Sequence, residues 1–204
     1  MNNVFVRLYK ADELPIDKKE ILRYAGAVEC DDLSGVLNDC LCEALSRLSY
    51  RICYREFSVK IFDDKIDLGF TRIRSKNLQK NLQGCEKIIL FSATVGIEID
   101  RFIRKYGRIS PTKALFFQAI GSERVEALAD KFNEEIREEA RAKGFTTHPR
   151  YSPGYGDLAL DIQKEIFEVL DCTKQIGITL SESLLMSPSK SITAIIGLKK
   201  ITSE

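Results

Sequence analysis

No excess of charge of either sign marks this chain. Its 31 basic side chains stand against 30 acidic ones, for a formal charge of +1. The basic stripe that draws a protein to nucleic acid or an anionic membrane is therefore missing, and aromatics are not interleaved with basic clusters as a strand-binding platform needs. There is one histidine, His148, followed directly by a proline, so it cannot anchor a catalytic triad by itself, and no G-x-S-x-G elbow exists. Six cysteines sit at 30, 40, 42, 53, 85 and 172 without a C-x-x-C pair. Zinc spacing is absent, and Cys40 and Cys42 point in different directions from a helix. Thiols this scattered fit small buried hydrophobes in a reducing compartment, without metal or structural disulfide. No apolar run reaches transmembrane length. Met1-Asn2-Asn3-Val4-Phe5 is not built like a signal peptide. The expected location is cytoplasmic.

What is present is ordinary in bulk: 204 residues, 44% apolar and 30% charged, enough to bury a substantial core. Val4–Leu8 reads as a short strand. Asp17 caps a helix that runs through Tyr24 and ends at Gly26, and Asp31 and Asp32 open a longer one over Leu33–Leu48. From Tyr50 the period becomes two, through Ile61, with Asp63-Asp64 turning the chain before Lys65–Leu68. Ser75 caps a short helix through Leu82, stopped by Gly84. Lys87–Ala93 is the most apolar strand, expected at the centre and covered on both faces. It runs into Thr94-Val95-Gly96 and a helix over Ile97–Tyr106, but neither G-x-x-x-x-G-K-[ST] nor G-x-G-x-x-G is there, which removes a nucleotide loop.

Ser110-Pro111 starts a helical pattern that continues to Lys143, about 50 Å at 1.5 Å per residue, so a kink is expected near Gly121-Ser122. Val125, Leu128, Ala129, Phe132 and Ile136 form its buried stripe. Glu126 sits at the edge of that stripe, either as a ligand-facing carboxylate or as a solvent-facing charge. A further helix is expected over Leu158–Leu170 and strands over Gly177–Leu180 and Ser191–Ile201. Without repeats or a linker, the pattern predicts one α+β domain over residues 1–204. Its sheet would be twisted and mostly antiparallel, with helices packed at its face and ends and the long helix as the spine.

Between the last two long helical patterns lies Arg150-Tyr151-Ser152-Pro153-Gly154-Tyr155-Gly156-Asp157. Two glycines bracket Tyr155, which permits tight turning and close approach of another molecule. Pro153 stiffens the segment. Arg150 is a planar fork suited to carboxylate or phosphate, and Tyr155 offers a flat face with a hydroxyl tip. Such a loop suits a small amphiphilic ligand. It equally suits a connector whose arginine pairs with a nearby acid.

At these residues the sequence resembles the activation domain of cobalamin-dependent methionine synthase. The family's Arg-x-x-x-Gly-Tyr is met by Arg150, Gly154 and Tyr155. The stretch from Ile176 to Pro188 is similar to its Gly-x-x-Leu-Thr-Glu-Ser-x-x-Met-x-Pro segment, and Val125–Asp130 resembles the helix before the ligand loop. The resemblance covers about residues 110–200. Ser75-Lys76-Asn77-Leu78 and Gly84-Cys85-Glu86 look like the short, free-standing versions. Where the long form continues with Pro-Ala, this chain has Gly156-Asp157, and its N-terminal half shows no counterpart of the long form's acidic contact.

The resemblance implies S-adenosylmethionine as ligand. Arg150 would hold its carboxylate, Glu126 would be an acidic contact, and Tyr155 would line the pocket beside donor and corrin. Gly154, Gly156 and Asp157 would contribute loop backbone. It further implies a methyltransferase component of methionine biosynthesis, an activation subunit acting in trans on a cobalamin-binding methionine synthase module, with a flavodoxin-type protein supplying the electron. The alternative is a non-catalytic module that docks on a corrinoid protein without using the donor, and a third reading is an unrelated small-ligand binder.

Overall fold

The computed structural model describes residues 3–27 and 31–201. Cys30, one of the six thiols, lies outside them. The first strand, β1 (Phe5–Tyr9), leads through a 3-10 turn to α1 (Lys18–Ala25). Asp17 accepts hydrogen bonds from the backbone N–H groups of Lys19 and Glu20, and Gly26 closes the helix at a left-handed φ of 61°. After α2 (Asp31–Leu45) come β2 (Tyr50–Ser58), β3 (Lys60–Ile61), β4 (Ile66–Asp67) and β5 (Arg72–Ile73). The alternating stretch after Tyr50 is thus split: β2 enters the main sheet, whereas β3, β4 and β5 form a small antiparallel sheet of their own. Next are α3 (Lys76–Asn81), β6 (Cys85–Thr94), α4 (Glu98–Tyr106) and α5 (Pro111–Ala142). The chain closes with β7 (Phe145–Thr147), α6 (Gln163–Leu170), α7 (Cys172–Ile176), β8 (Thr179–Leu180), β9 (Met186–Ser187) and β10 (Ser191–Lys200).

The main sheet has the order β1-β2-β6-β10-β7, antiparallel at every pairing. The expected central strand is indeed central. Along β6, Ile88 and Leu90 pack into a core with α6 and α7, while Ile89, Phe91 and Ala93 pack against α5. Two buried faces explain why its sequence is a continuous apolar run instead of an alternation. Full burial of each such side chain contributes roughly 1.5–3 kcal/mol. A third core joins α1, α2, α4 and the first half of α5. The fold is α+β, as the patterning indicates.

The long helix is not interrupted at its glycine. It stays one continuous element of 32 residues through Gly121 and Ser122. Glycine serves packing there: a Cβ on Gly121 would lie 2.7 Å from Cγ1 of Ile99 and 2.8 Å from Cγ of Lys190. The helix over Leu158–Leu170 begins later, at Gln163 after a 3-10 turn over Leu160–Ile162. Three short strands, β5, β7 and β9, are not among those expected, and strands of three residues or fewer leave little periodicity to read.

Candidate functional site

The Arg150–Asp157 segment is held at both ends. Tyr151 exchanges backbone hydrogen bonds of 2.9 Å with Ile195, which ties the loop to the outer edge of β10 beyond the short β7 pairing. The loop then folds onto itself: Gly154 N–H donates to the Leu158 carbonyl at 2.9 Å, Tyr155 N–H to Ser152, and the Tyr151 hydroxyl to the Tyr155 carbonyl at 3.1 Å. Gly156 has φ 56°, and a Cβ there would run into the Asn77 amide and the Tyr151 hydroxyl. This is the close approach that only glycine permits.

Arg150 reaches back to α5. It donates to Glu126 Oε2 at 2.6 Å and to Asp130 Oδ1 at 2.5 Å. Burial pulls its pKa down, but the bonds to Asp130 and Glu126 outweigh that and hold the guanidinium above its usual value. Both carboxylates lie one helical turn apart on α5, so a single fork spans them. Asp130 is the more exposed partner, at 69% of its side chain against 43% for Glu126.

Between this loop, α5, the start of α6 and the start of β10 lies a cavity of about 450 Å³. Its walls include Glu126, Arg150, Tyr151, Pro153, Tyr155, Gln163, Met186 and Thr193. The space is a mixture of flat apolar surface and a few polar groups, the usual makeup of a small-molecule site. A neighbouring hollow of about 630 Å³ shares Glu126 but not Arg150, and it is lined by Asp17, Glu20, Glu123 and Asp130. Its wall is fixed by a buried pair: Arg124 bonds to Glu123 and to the carbonyls of Leu14 and Pro15, and Glu123 accepts from Asp17 N–H at 3.0 Å.

Of the six residues singled out from sequence, Glu126, Arg150 and Tyr155 come together on this cavity. Gly154 shapes the turn beside it. Gly156 and Asp157 face the other way, toward α3: the Asp157 carboxylate accepts from Ser75 Oγ and from the backbone N–H of Lys76 at 2.7 Å and Asn77 at 3.2 Å. The Ser75 bond foremost, with those amides, holds its carboxyl below the usual range against a smaller opposing effect of desolvation. Gln163 and Thr193 also line the cavity, yet neither belongs to a recognisable motif. Nothing in a lone Gln at a helix start or a Thr in an apolar strand would have marked them.

Residues 77–202 match the family model described as vitamin B12 dependent methionine synthase, activation domain. The chain belongs to this family. Among solved structures, that of the MetH reactivation domain bound to AdoHcy shares its fold, with a TM-score of 0.71 at 17% sequence identity, covering 99% of this chain and 80% of that one. No curated protein sequence matches. The match takes in α3, β6, α4, α5, the Arg150 loop, α6, α7 and β10, so every wall of the cavity lies within it. Among the described residues, no helix is long and apolar enough to cross a membrane, and no group of three or more His, Cys, Asp or Glu side chains could hold a metal ion. The five described cysteines are free thiols.

Proposed function

We propose that this activation-domain chain binds S-adenosylmethionine in the cavity beside Arg150 and presents the methyl group to reduced cobalamin carried by a partner methionine synthase module. The observation that carries the reading is the convergence of an Arg fork, a carboxylate and an exposed aromatic ring on one cavity. The residues suit the donor: Arg150 for its carboxylate, Glu126 for its ammonium, and Tyr155 and Met186 beside the apolar adenosyl part. Held by Arg150, Glu126 and Tyr155, the donor would supply an electrophilic methyl group whose leaving sulfur keeps its bonding pair, the partner's reduced cobalamin supplying the pair that takes the methyl up. Tyr155 and Met186 would orient the sulfonium at the open side of the cavity. An electron for the cobalt would come from a flavodoxin-type protein. The site would then act as a methyltransferase component of methionine biosynthesis in the cytoplasm, working in trans.

Arg150 is already engaged, and this favours a second reading, a docking module that does not use the donor. The cost of re-engaging it is small, however. Asp130 is mostly exposed, and pairs of that kind are worth about 0–1 kcal/mol, so a ligand carboxylate can take its place while Glu126 stays. Calorimetric titration with S-adenosylmethionine and S-adenosylhomocysteine decides between the two. Binding that falls about tenfold or more in Arg150→Lys, which keeps charge but loses the fork, is expected, since a charge-assisted bond contributes about 1.5–3 kcal/mol. No heat with either ligand would leave the docking module standing.

A further inference from the structure

The two edges of the main sheet are finished differently. At one, β7 is only three residues long, and beyond it the Arg150 loop bridges to Ile195. At the other, β1 runs as a regular five-residue strand in unbroken register with β2 from Phe5 to Tyr9. Among the described residues, no backbone hydrogen bond reaches β1 from its outer side. Open edges are normally protected by proline, lysine, a bulge or a covering element, and β1 carries none of these. Its one charge, Arg7, is turned onto α5, where it bonds to Glu135 at 2.8 Å and to Glu139. Its exposed side chains are apolar instead: Leu8 at 72%, Phe5 at 53% and Val6 at 41%.

Such an edge accepts another strand, because an extended backbone presents donors and acceptors at the matching spacing. The sequence of β1 is complementary to itself. Paired antiparallel about Val6, that residue faces its own copy, and Val4 faces the second copy's Leu8. This apolar row lies on the face where Val4 already packs into the core with α6 and α7. On the opposite face, Phe5 meets the second copy's Arg7. That contact extends one already built: the Arg7 guanidinium lies over the rings of Tyr54 and Phe132 at 5.0 and 5.5 Å, and Phe5 stacks on Tyr54 at 5.5 Å. Centring the pairing on Arg7 would set two arginines opposite each other, and centring it on Leu8 would set Val6 against Lys10.

We propose that β1 is a dimer seam, pairing antiparallel with β1 of a second copy about Val6 and joining two five-stranded sheets into one. The contact is isologous and uses up both open edges. With the far edge occupied by β7 and the Arg150 loop, assembly stops at two. The Arg150 cavity lies by β10, on the far side from the seam, and stays open in both copies. The inference does not depend on the donor reading.

Sedimentation velocity of the full chain at rising concentration tests it, beside Val6→Lys and beside single cysteines placed in a Cys30→Ser, Cys42→Ser background under oxidised glutathione. Wild type should pass from monomer to dimer in the micromolar range, as a small interface does. Val6→Lys sets two lysines opposite each other and should raise the dimer Kd about tenfold or more. Val6→Cys should form an interchain disulfide, because directly opposed residues stand about 4.5–5.5 Å apart at Cα. Phe5→Cys, diagonal to its copy at about 7–8 Å, should cross-link several-fold more slowly. A wild-type chain that stays monomeric throughout overturns the proposal and leaves the edge to a strand of another protein. A dimer that cross-links through Phe5→Cys and not Val6→Cys, or that survives Val6→Lys unchanged, overturns it too. Should Val6→Lys fail to fold, the two cysteine variants decide alone.

Discussion

Tyr155 stands 70% exposed at the rim of the cavity, held there by glycines on either side that offer no side chain to cover it. Its backbone carries the turn, through the carbonyl that accepts from Tyr151 and Leu158, so the ring is free of structural duty. Tyr155→Ala should therefore change stability by less than about 0.5 kcal/mol, as surface substitutions do, where a buried aromatic would cost about 3–5 kcal/mol. Donor affinity should fall by a few-fold to tenfold, the worth of one aromatic contact, and Tyr155→Phe should retain most of it. Thermal melts beside donor titrations check this, and a sharp loss of melting temperature in Tyr155→Ala would mean the ring is structural. Residue by residue, the part of the site that was legible is the part whose chemistry shows in a short motif: Arg150 and Tyr155 can be named from the loop. Asp157 sits in the same motif, yet its carboxylate caps α3, because a neighbour distant in sequence claimed it. Gln163 and Thr193 line the cavity too, but neither sits in a motif that marks it.

At the scale of elements, length and continuity decided what could be read. Strand β6 and helices α1, α4 and α5 carry unbroken patterns or explicit caps and stand where the sequence indicates. Strands β7 and β9 do not, and the loop's attachment to β10 rests on a single backbone bridge. The glycine in α5 is instructive. Pattern alone marks Gly121 as a weak point, but its missing Cβ is what lets Lys190 cross the helix and bond to Ser122 Oγ at 2.9 Å. Lys190 lies between β9 and β10, so this crossing fixes the approach of β10 to the site. Gly121→Ala makes the competition measurable. Helix propensity favours alanine by about 0.8–1 kcal/mol, while forcing a methyl against the stems of Ile99 and Lys190 costs typically 1–3 kcal/mol. The net expectation is a loss of up to about 2 kcal/mol, seen as a lower urea midpoint at unchanged slope. A higher midpoint would show that the contact yields and that the glycine is dispensable.

For the whole molecule, the family match begins at residue 77, but the physical unit extends further back. β2 pairs with β6 from Arg51 to Ser58, one of the two flanks of the central strand. Each core draws on the first half as well: Ile66 and Leu68 on the α6 side, Ile52 on the α5 side, and Ile21 of α1 and Leu37 of α2 in the third. We therefore take residues 1–204 as one cooperative domain and expect a fragment of residues 77–202 not to fold. Five or more buried apolar side chains at roughly 1.5–3 kcal/mol each exceed most of the 5–15 kcal/mol by which a domain of this size is stable. The fragment would also leave the β6 edge open, with unpaired backbone groups against an apolar face. Circular dichroism melts compare the two directly. The full chain should unfold in a single sharp transition, and the fragment should show none and bind no donor even though it contains every residue of the cavity wall. A cooperative melt from the fragment, with donor binding intact, would make the first 76 residues an accessory layer and divide the chain in two.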